Sequence, residues 1–479
     1  MSLRISNGYT FSQFLSGIQS NQYGLTKAQA QISSGLRLLR PSDDPTATSR
    51  VISLRGRLSH NHAYTKSISD GRSRVDFSAS VLQDSSELMT DIRTLIIQGM
   101  NGTLNSDDRA SLSAEISFLR DQLLELANSQ LSGKHVFGGT DTGGKPFAEV
   151  TAGGVTKVVY QGNGAQQSIP VGDGVEMSIN VPGSSIFSKN QASGTDFAGL
   201  TGAASGATAD MGTGFEYLDV QHDATLAPGI GAVGVALVNG GADDEVLGDQ
   251  QLVIDAVAGT VSIGGGEPVP IPDPTSADAA DVVVTNAAGG ELHLDFTGWT
   301  GADSTSTVTG QGSISIDGST YVPIDFAETD LELKNADTGS VVHVDLTGVT
   351  RSGEEMVSFG GNMNVFDALQ SAVDVLAGGG DLAGTEINQR LNLALGEFDR
   401  SQSNLLGSIG VLGSRSVRMT NTLERLEGKS LELEGMISDL RDVDFSDAVL
   451  ELTKAEQALE LVQMSGTRMI SSSLLNFMR

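Results

Sequence analysis

The two ends of this chain carry matching apolar ladders, and neither can be buried by one helix alone. From Phe445 to Met478, apolar or small residues recur at steps of three and four: Phe445, Ala448, Leu452, Ala455, Leu459, Val462, Gly466 and Met469. Glu451, Lys454, Glu456, Gln457, Glu460 and Gln463 fill the faces between, so the pattern is a heptad seam. A helix of that length reaches about 50 Å. Propensity alone stabilises such a helix little, so its stripe demands a partner. At the other end Phe11, Phe14, Ile18, Asn21, Leu25, Ala28, Ile32, Gly35 and Leu39 step in the same way. The termini are expected to pair as one coiled coil, with everything else looped out between them. Core packing in an ordinary bundle would explain either stripe singly. Two stripes at opposite ends, both poor in charge on the apolar side, favour an assembly surface. Its candidate residues are Phe11, Phe14, Ile18, Leu25, Ile32, Phe445, Leu452, Leu459, Val462 and Met469.

Bulk chemistry removes several function classes. A net charge of −30 opposes nucleic-acid binding, which needs a basic surface to displace counterions from phosphates. With no Cys there is neither a disulfide nor a thiolate zinc site. Met-Ser-Leu-Arg-Ile-Ser-Asn lacks the apolar core of a cleaved secretory signal, and no run approaches the roughly 20 apolar residues of a membrane span. By default these point to a cytoplasmic protein. At 479 residues the chain has room for two or three domains.

Punctuation divides the first third. A first helix is expected to end at Arg40-Pro41, because proline removes a donor and disfavours helix in the residue before it. Asp44 can cap a second helix that begins at Pro45 and runs to about Gln98, striped by Val51, Leu54, Leu58, Ile68, Val75, Ala79, Leu82 and Met89. Ser106-Asp107-Asp108 is expected to cap a third, striped by Leu112, Ile116, Leu119, Leu123 and Leu126. Short connections favour an antiparallel bundle. From Gly133 glycine pairs separate β-rich runs such as Val155–Tyr160 and Val175–Val181, which read as hairpins.

Between Lys189 and Lys334 there is no Lys or Arg. An internal repeat separates a folded domain from disorder. Ser262–Ile271 matches Ser315–Ile324, and Leu292–Thr300 matches Val342–Thr350, at the spacing of duplicated units. Alternation through Leu292, Leu294 and Phe296, and through Val342, Val344 and Leu346, fits half-buried strands. Residues 190–355 are expected to form an acidic β-rich insert, with helices resuming at Val365 and breaking near Gly378.

Catalytic motifs find no support. Gly139–Lys145 has phosphate-loop spacing, but Pro146 stands where a magnesium-holding Ser or Thr belongs. His293 and His343 occupy equivalent repeat positions, which points to a structural role on strands, and no His-Glu-x-x-His pair exists. Asp243-Asp244-Glu245 lacks the spaced ligands of a calcium loop and reads as a solvated acidic turn. No cofactor, no metal and no enzymatic activity are expected.

Gln31–Ala47, with Pro-Ser-Asp-Asp-Pro at 41–45, resembles the flagellin family. Flagellins proper usually carry Lys-Asp-Asp-Ala-Ala-Gly there, so the variant is similar to the branch whose members join hook to filament. Gly133–Gly139 with Pro146-Phe147, the helix Val411–Leu426 with Gly413, Arg415 and Arg418, Asp442–Ala448, and Ser472–Asn476 extend the resemblance over about 1–190 and 360–479. It implies a mainly α fold. Residues 1–44 with 431–479 would be an inner coiled-coil assembly domain, and 45–189 with 356–430 a long helical-bundle rod with small β-hairpins. Residues 190–355 would be the inserted outer domain. It further implies subunits in a ring, a neighbouring hook-associated protein on the hook side, flagellin on the filament side and a flagellar export chaperone. Export by the flagellar type III route without a cleaved signal would replace the cytoplasmic default. The filament subunit itself, or a surface-binding adhesin acting through the insert, are the alternatives.

Overall fold

Gly35, not Pro41, ends the first helix. The computed structural model describes residues 7–152, 155–188, 194–378, 382 and 384–477, with the side chains of those between 9 and 468 except 10, 11, 152 and 155. In it α1 spans Asn7–Ser34, and Gly35 follows at φ +68°. Glycine takes that left-handed position without a Cβ penalty, so the helix stops before the proline acts. The chain then pairs backward: Leu36 bridges to Asp442, and the Arg37 N–H donates to the Arg441 carbonyl at 2.7 Å. Leu39 therefore lies outside the helical seam expected of it.

Asp44 caps as the sequence suggests, its Oδ1 accepting the N–H groups of Thr46 and Ala47. Helix α2 follows from Pro45 to Gly99, about 80 Å long. Helix α3, Ser106–Ala127, is capped one residue earlier than expected. Asn105 accepts from the Asp108 N–H at 2.8 Å while Asp108 reaches back to the Asn105 N–H, a reciprocal capping box. A short α4 (Gly183–Phe187), then α5 (Val365–Ala377), α6 (Gly384–Arg441) and α7 (Phe445–Phe477) complete the helices among the described residues. The hairpin Phe147–Ala152 with Val155–Tyr160 lies where the sequence puts it. A second pairs Ser168–Gly172 with Val175–Ser178, closing three residues short of Val181.

The chain divides into two compact units, with the division falling inside α2 and α6. The first comprises Met1–Arg72, Ile169–Met177 and Val417–Arg479. In it α1 packs on α7, and Asn61 of α2 donates to the Leu426 carbonyl and Ser430 Oγ of α6 at 2.6 and 2.7 Å.

The second unit comprises Ser73–Ser168 and Ser178–Ser416. Its helical layer buries Leu82, Met89, Ile92 and Ile96 of α2, and Leu391, Phe398, Leu405 and Leu412 of α6. Each such side chain contributes about 1.5–3 kcal/mol on burial. Arg93 and Asp399 tie these helices through two hydrogen bonds of 2.8 and 3.2 Å. Phe137, Phe147, Phe187 and Phe366 interlock edge to face and tilted, fixing the first hairpin against α4 and α5.

The insert is an all-antiparallel β structure. Its eight-stranded sheet includes the long strands Phe215–Leu226, Gly248–Asp255 and Ser304–Ser315, and closes with Gly353–Phe359, a few residues beyond the expected boundary. The repeat is more extensive than the sequence match and is nested. One copy frames the other. The Asp295 carboxylate accepts the N–H and hydroxyl of Thr297, and Asp345 does the same for Thr347. The backbone of His293 donates to Asp244, that of His343 to Asp210. Gly298 lies against the Gly234 carbonyl, and Gly348 against that of Gly202. The framing copy thus begins near Thr201, pauses while the nested copy runs from about Val233 to Thr300, and finishes by Thr350. Each has its own core: Leu218, Val220, Ile314, Val342 and Val344 in one, Leu252, Ile254, Val261, Leu292 and Leu294 in the other.

Candidate assembly surface

Heptad spacing on α1 and α7 translates into one antiparallel helix pair. Ala28 and Ala448 are buried, and Phe14, Ile18, Leu25, Ile32, Leu452, Leu459 and Val462 are half-buried in the seam. Small residues let the backbones approach: a Cβ placed on Gly466 would stand 2.0 Å from the ring Cζ of Phe14. Phe445 belongs to the α7 ladder by spacing but lies at the helix start, 65% exposed. The side chains of Phe11 and Met469 lie outside the described residues.

The structure adds a second face that the seam pattern did not single out. Leu450, Leu461 and Met464 of α7 are 52%, 67% and 51% exposed. Leu461 follows Leu450 by about three helical turns, so they share one side, opposite the seam. On α1, Tyr9 and Tyr23, about four turns apart, are likewise exposed on the side away from Phe14. The helix pair therefore spends one apolar stripe on itself and presents another outward. A search for polar-to-apolar reversals on the outer helical face would have found it in the sequence.

Beside the pair, a groove of about 470 Å³ is lined by Lys27, Gln31, Arg37 and Asp43 with Glu451 and Lys454. The Arg40 and Leu39 backbone N–H groups and nearby Lys27, 3.7 Å away, hold the Asp43 carboxyl below the usual carboxylate range. This fixes the turn that Pro-Ser-Asp-Asp-Pro encodes.

The chemical candidates separate cleanly. Gly139 takes φ +72° in a loop held by Asn163, and a strand, not a phosphate-binding helix, follows it. His293 and His343 sit on equivalent strands beside Asp281 and Asp210. Asp244 corrects the solvated-turn reading: it is buried, its Oδ1 accepting the His293 N–H at 2.9 Å, while Glu245 pairs with Arg351 at 3.2 Å. Among the described residues no cluster of His, Asp or Glu is arranged to hold a metal, and no helix is long and apolar enough to cross a membrane.

Residues 5–142 match the bacterial flagellin N-terminal helical region. Over 186 residues the chain is 33% identical to flagellar hook-associated protein 3 of Salmonella typhimurium, covering 39% of this chain and 57% of that protein. With the protein of the same name from Escherichia coli it is 36% identical over 148 residues, 31% of this chain and 47% of the relative. A Bacillus subtilis flagellin is 28% identical over 141 residues, 29% and 46%. The chain thus spans about half the length of the curated relatives it matches. The crystal structure of Xanthomonas campestris FlgL is 18% identical at a TM-score of 0.45, covering 80% of this chain and 99% of that one. The family match thus takes in α1, α2 and α3, the helices that open the chain.

Proposed function

We propose that this protein is a structural subunit of the bacterial flagellum, forming the junction ring between hook and filament. The observation that carries the reading is the outward apolar stripe of Leu450, Leu461 and Met464, on a helix pair whose inner seam is already filled. The chain's alignment with relatives named flagellar hook-associated protein 3, at higher identity than with flagellins, supports the junction over the filament. Copies of this chain would cover the stripe of their neighbours, with a hook-associated protein on one side of the ring and flagellin on the other. Residues 1–44 with 431–479 serve as the assembly domain, 45–189 with 356–430 as the helical support, and 190–355 as the insert. The protein is not an enzyme, and it reaches the flagellum by the flagellar export route with a flagellar export chaperone.

Immunogold labelling of native flagella tests this reading. A single band at the distal edge of the hook is expected. Label along the whole filament would make the chain a filament subunit instead. No label on hook or filament would overturn the proposal.

A further inference from the structure

The carboxylate of Glu216 holds a lysine on one oxygen and an asparagine on the other. Lys157, from the strand Val155–Tyr160, places Nζ 3.4 Å from Oε1 and equally far from the Thr213 carbonyl. Asn335, in the framing β copy, donates Nδ2 to Oε2 at 3.0 Å and to the Ile316 carbonyl at 3.3 Å. Ser340 Oγ donates to Oε1 at 2.8 Å. The site is largely closed to water: the Lys157 and Glu216 side chains are 18% and 6% exposed, and Asn335 is buried. The Asn335 amide carbonyl is also polarised, because its Oδ1 accepts the backbone N–H groups of Asp337 and Thr338 at 2.9 and 3.2 Å.

The nested copy supplies an internal comparison. Asn286 holds the equivalent turn, its Oδ1 taking the N–H groups of Ala288 and Gly290. Its Nδ2 donates to Gln250 at 3.1 Å, where the framing copy has Glu216. The turn therefore needs an acceptor but not an acid. A carboxylate stands only in the copy that a lysine approaches.

We propose that Lys157 and Asn335 join in an intramolecular isopeptide bond, with Glu216 as the proton-transfer group. Glu216 takes a proton from the Lys157 ammonium, and the freed amine attacks the Asn335 side-chain carbonyl carbon. The N–H groups of Asp337 and Thr338 hold the oxyanion that develops there. Collapse breaks the bond from that carbon to Nδ2 as Glu216 passes its proton to the departing nitrogen; Glu216 then takes the second proton from the former lysine nitrogen and hands it to the ammonia, which leaves as ammonium. One amide replaces another, with no oxidant and no cofactor. The product links the first hairpin covalently to the β insert in a chain that has no cysteine to do so.

Intact-mass spectrometry of the full chain tests it. The expected mass is lower than that of the sequence by one ammonia, with a branched Lys157–Asn335 peptide after proteolysis. Lys157→Arg, which keeps the ion pair but cannot form this amide, is expected to restore the full mass, and Glu216→Gln to leave the linkage unformed. A full-mass wild-type chain with an unlinked Lys157 peptide would overturn the proposal, as would a mass deficit that survives in Lys157→Arg.

Discussion

Gly466 of α7 lies against the ring of Phe14 of α1, which occupies the space a Cβ would need. Two terms compete when a side chain is added there. Leucine gains about 1 kcal/mol over glycine in helix propensity. Overpacking costs about 1–3 kcal/mol. Gly466→Leu should therefore lose up to about 2 kcal/mol in urea unfolding of the α1–α7 pair. Phe14→Ala in the same background should recover most of it, since the blocking ring is gone. Additive losses in the double mutant would show that the two positions do not share this space.

The two faces of α7 are expected to respond differently to charge. Leu452→Asp or Leu459→Asp sets an unpaired carboxylate in the helix seam and should cost roughly 3 kcal/mol of monomer stability. Leu461→Asp lies on the outward stripe, where surface changes stay within about 0.5 kcal/mol. It should nonetheless abolish incorporation into the flagellum while export continues. Normal filaments on a Leu461→Asp strain would remove that face from the interface.

How much of this was legible follows from the range of each interaction. Asp44-Pro45, the stripe of α2 and the strand Val155–Tyr160 are local signals, and they were readable. The end of α1 differs from the sequence expectation because two breakers compete, and Gly35 acts before Pro41. Asn105 took the cap from Ser106 because a cap is defined by its reach to the residue three ahead, which Asp108 completes. The repeat was visible only in its second halves. Its first halves share single residues, such as Asp210 with Asp244 and Gly202 with Gly234, too sparse to align without their hydrogen bonds. The outward stripe of Leu450, Leu461 and Met464 was obscured because interrupted apolar positions read as background beside a regular heptad.

Buried carboxylates give the second unit a distinctive pH response. Burial pushes the Asp367 carboxyl from 3.8 up to about 6, although the Val158 N–H and nearby Lys157 and Arg120 pull the other way. Burial likewise raises Glu355 and Glu397. Between about pH 4 and 6 the folded Asp367 keeps a proton that the unfolded chain has released. Stability should therefore fall as pH rises through that window and level off above it, by roughly 3 kcal/mol from Asp367. Chemical denaturation at stepped pH should show this slope, and Asp367→Asn should flatten it. A rise in stability across the window would contradict the assignment.

Arg390 is a cation with almost no water. It is 2% exposed and donates to Glu354 at 2.7 Å and to Glu386 at 2.9 Å, with its guanidinium 5.7 Å above the Tyr217 ring. Arg390→Met keeps much of the volume but strands Glu386, itself 12% exposed. Removing one partner of such a pair costs about 3–5 kcal/mol. Adding Glu386→Gln should return a good part of that loss, because the cost lies in the orphaned charge. Equal instability of single and double mutants would place the cost in packing instead.

Nesting of one β copy within the other makes a prediction about tolerance. In the framing copy, the strand pair joining Val220 to Ile314 opens to admit the whole nested copy. The nested copy closes the corresponding pair, Ile254 to Val261, with a short turn in which Val257 is 93% exposed. That turn is held from outside by Asp303, which accepts the Ala256 N–H at 2.7 Å, and from within by Asp255. A flexible Gly-Ser segment inserted after Val257 keeps the bonds from Ala256 to Asp303 and from Val257 to Asp255 and gives up the one from Ala258. Loop-closure entropy grows by only about 0.6 kcal/mol per doubling of length. Such an insertion should lower the stability of the second unit by about 1–2 kcal/mol and leave its β content unchanged by circular dichroism. An insertion of the same segment between Leu252 and Val253, inside the paired strand, should unfold the nested copy. Similar outcomes at the two positions would mean the turn is not the equivalent of the point where the framing copy opens.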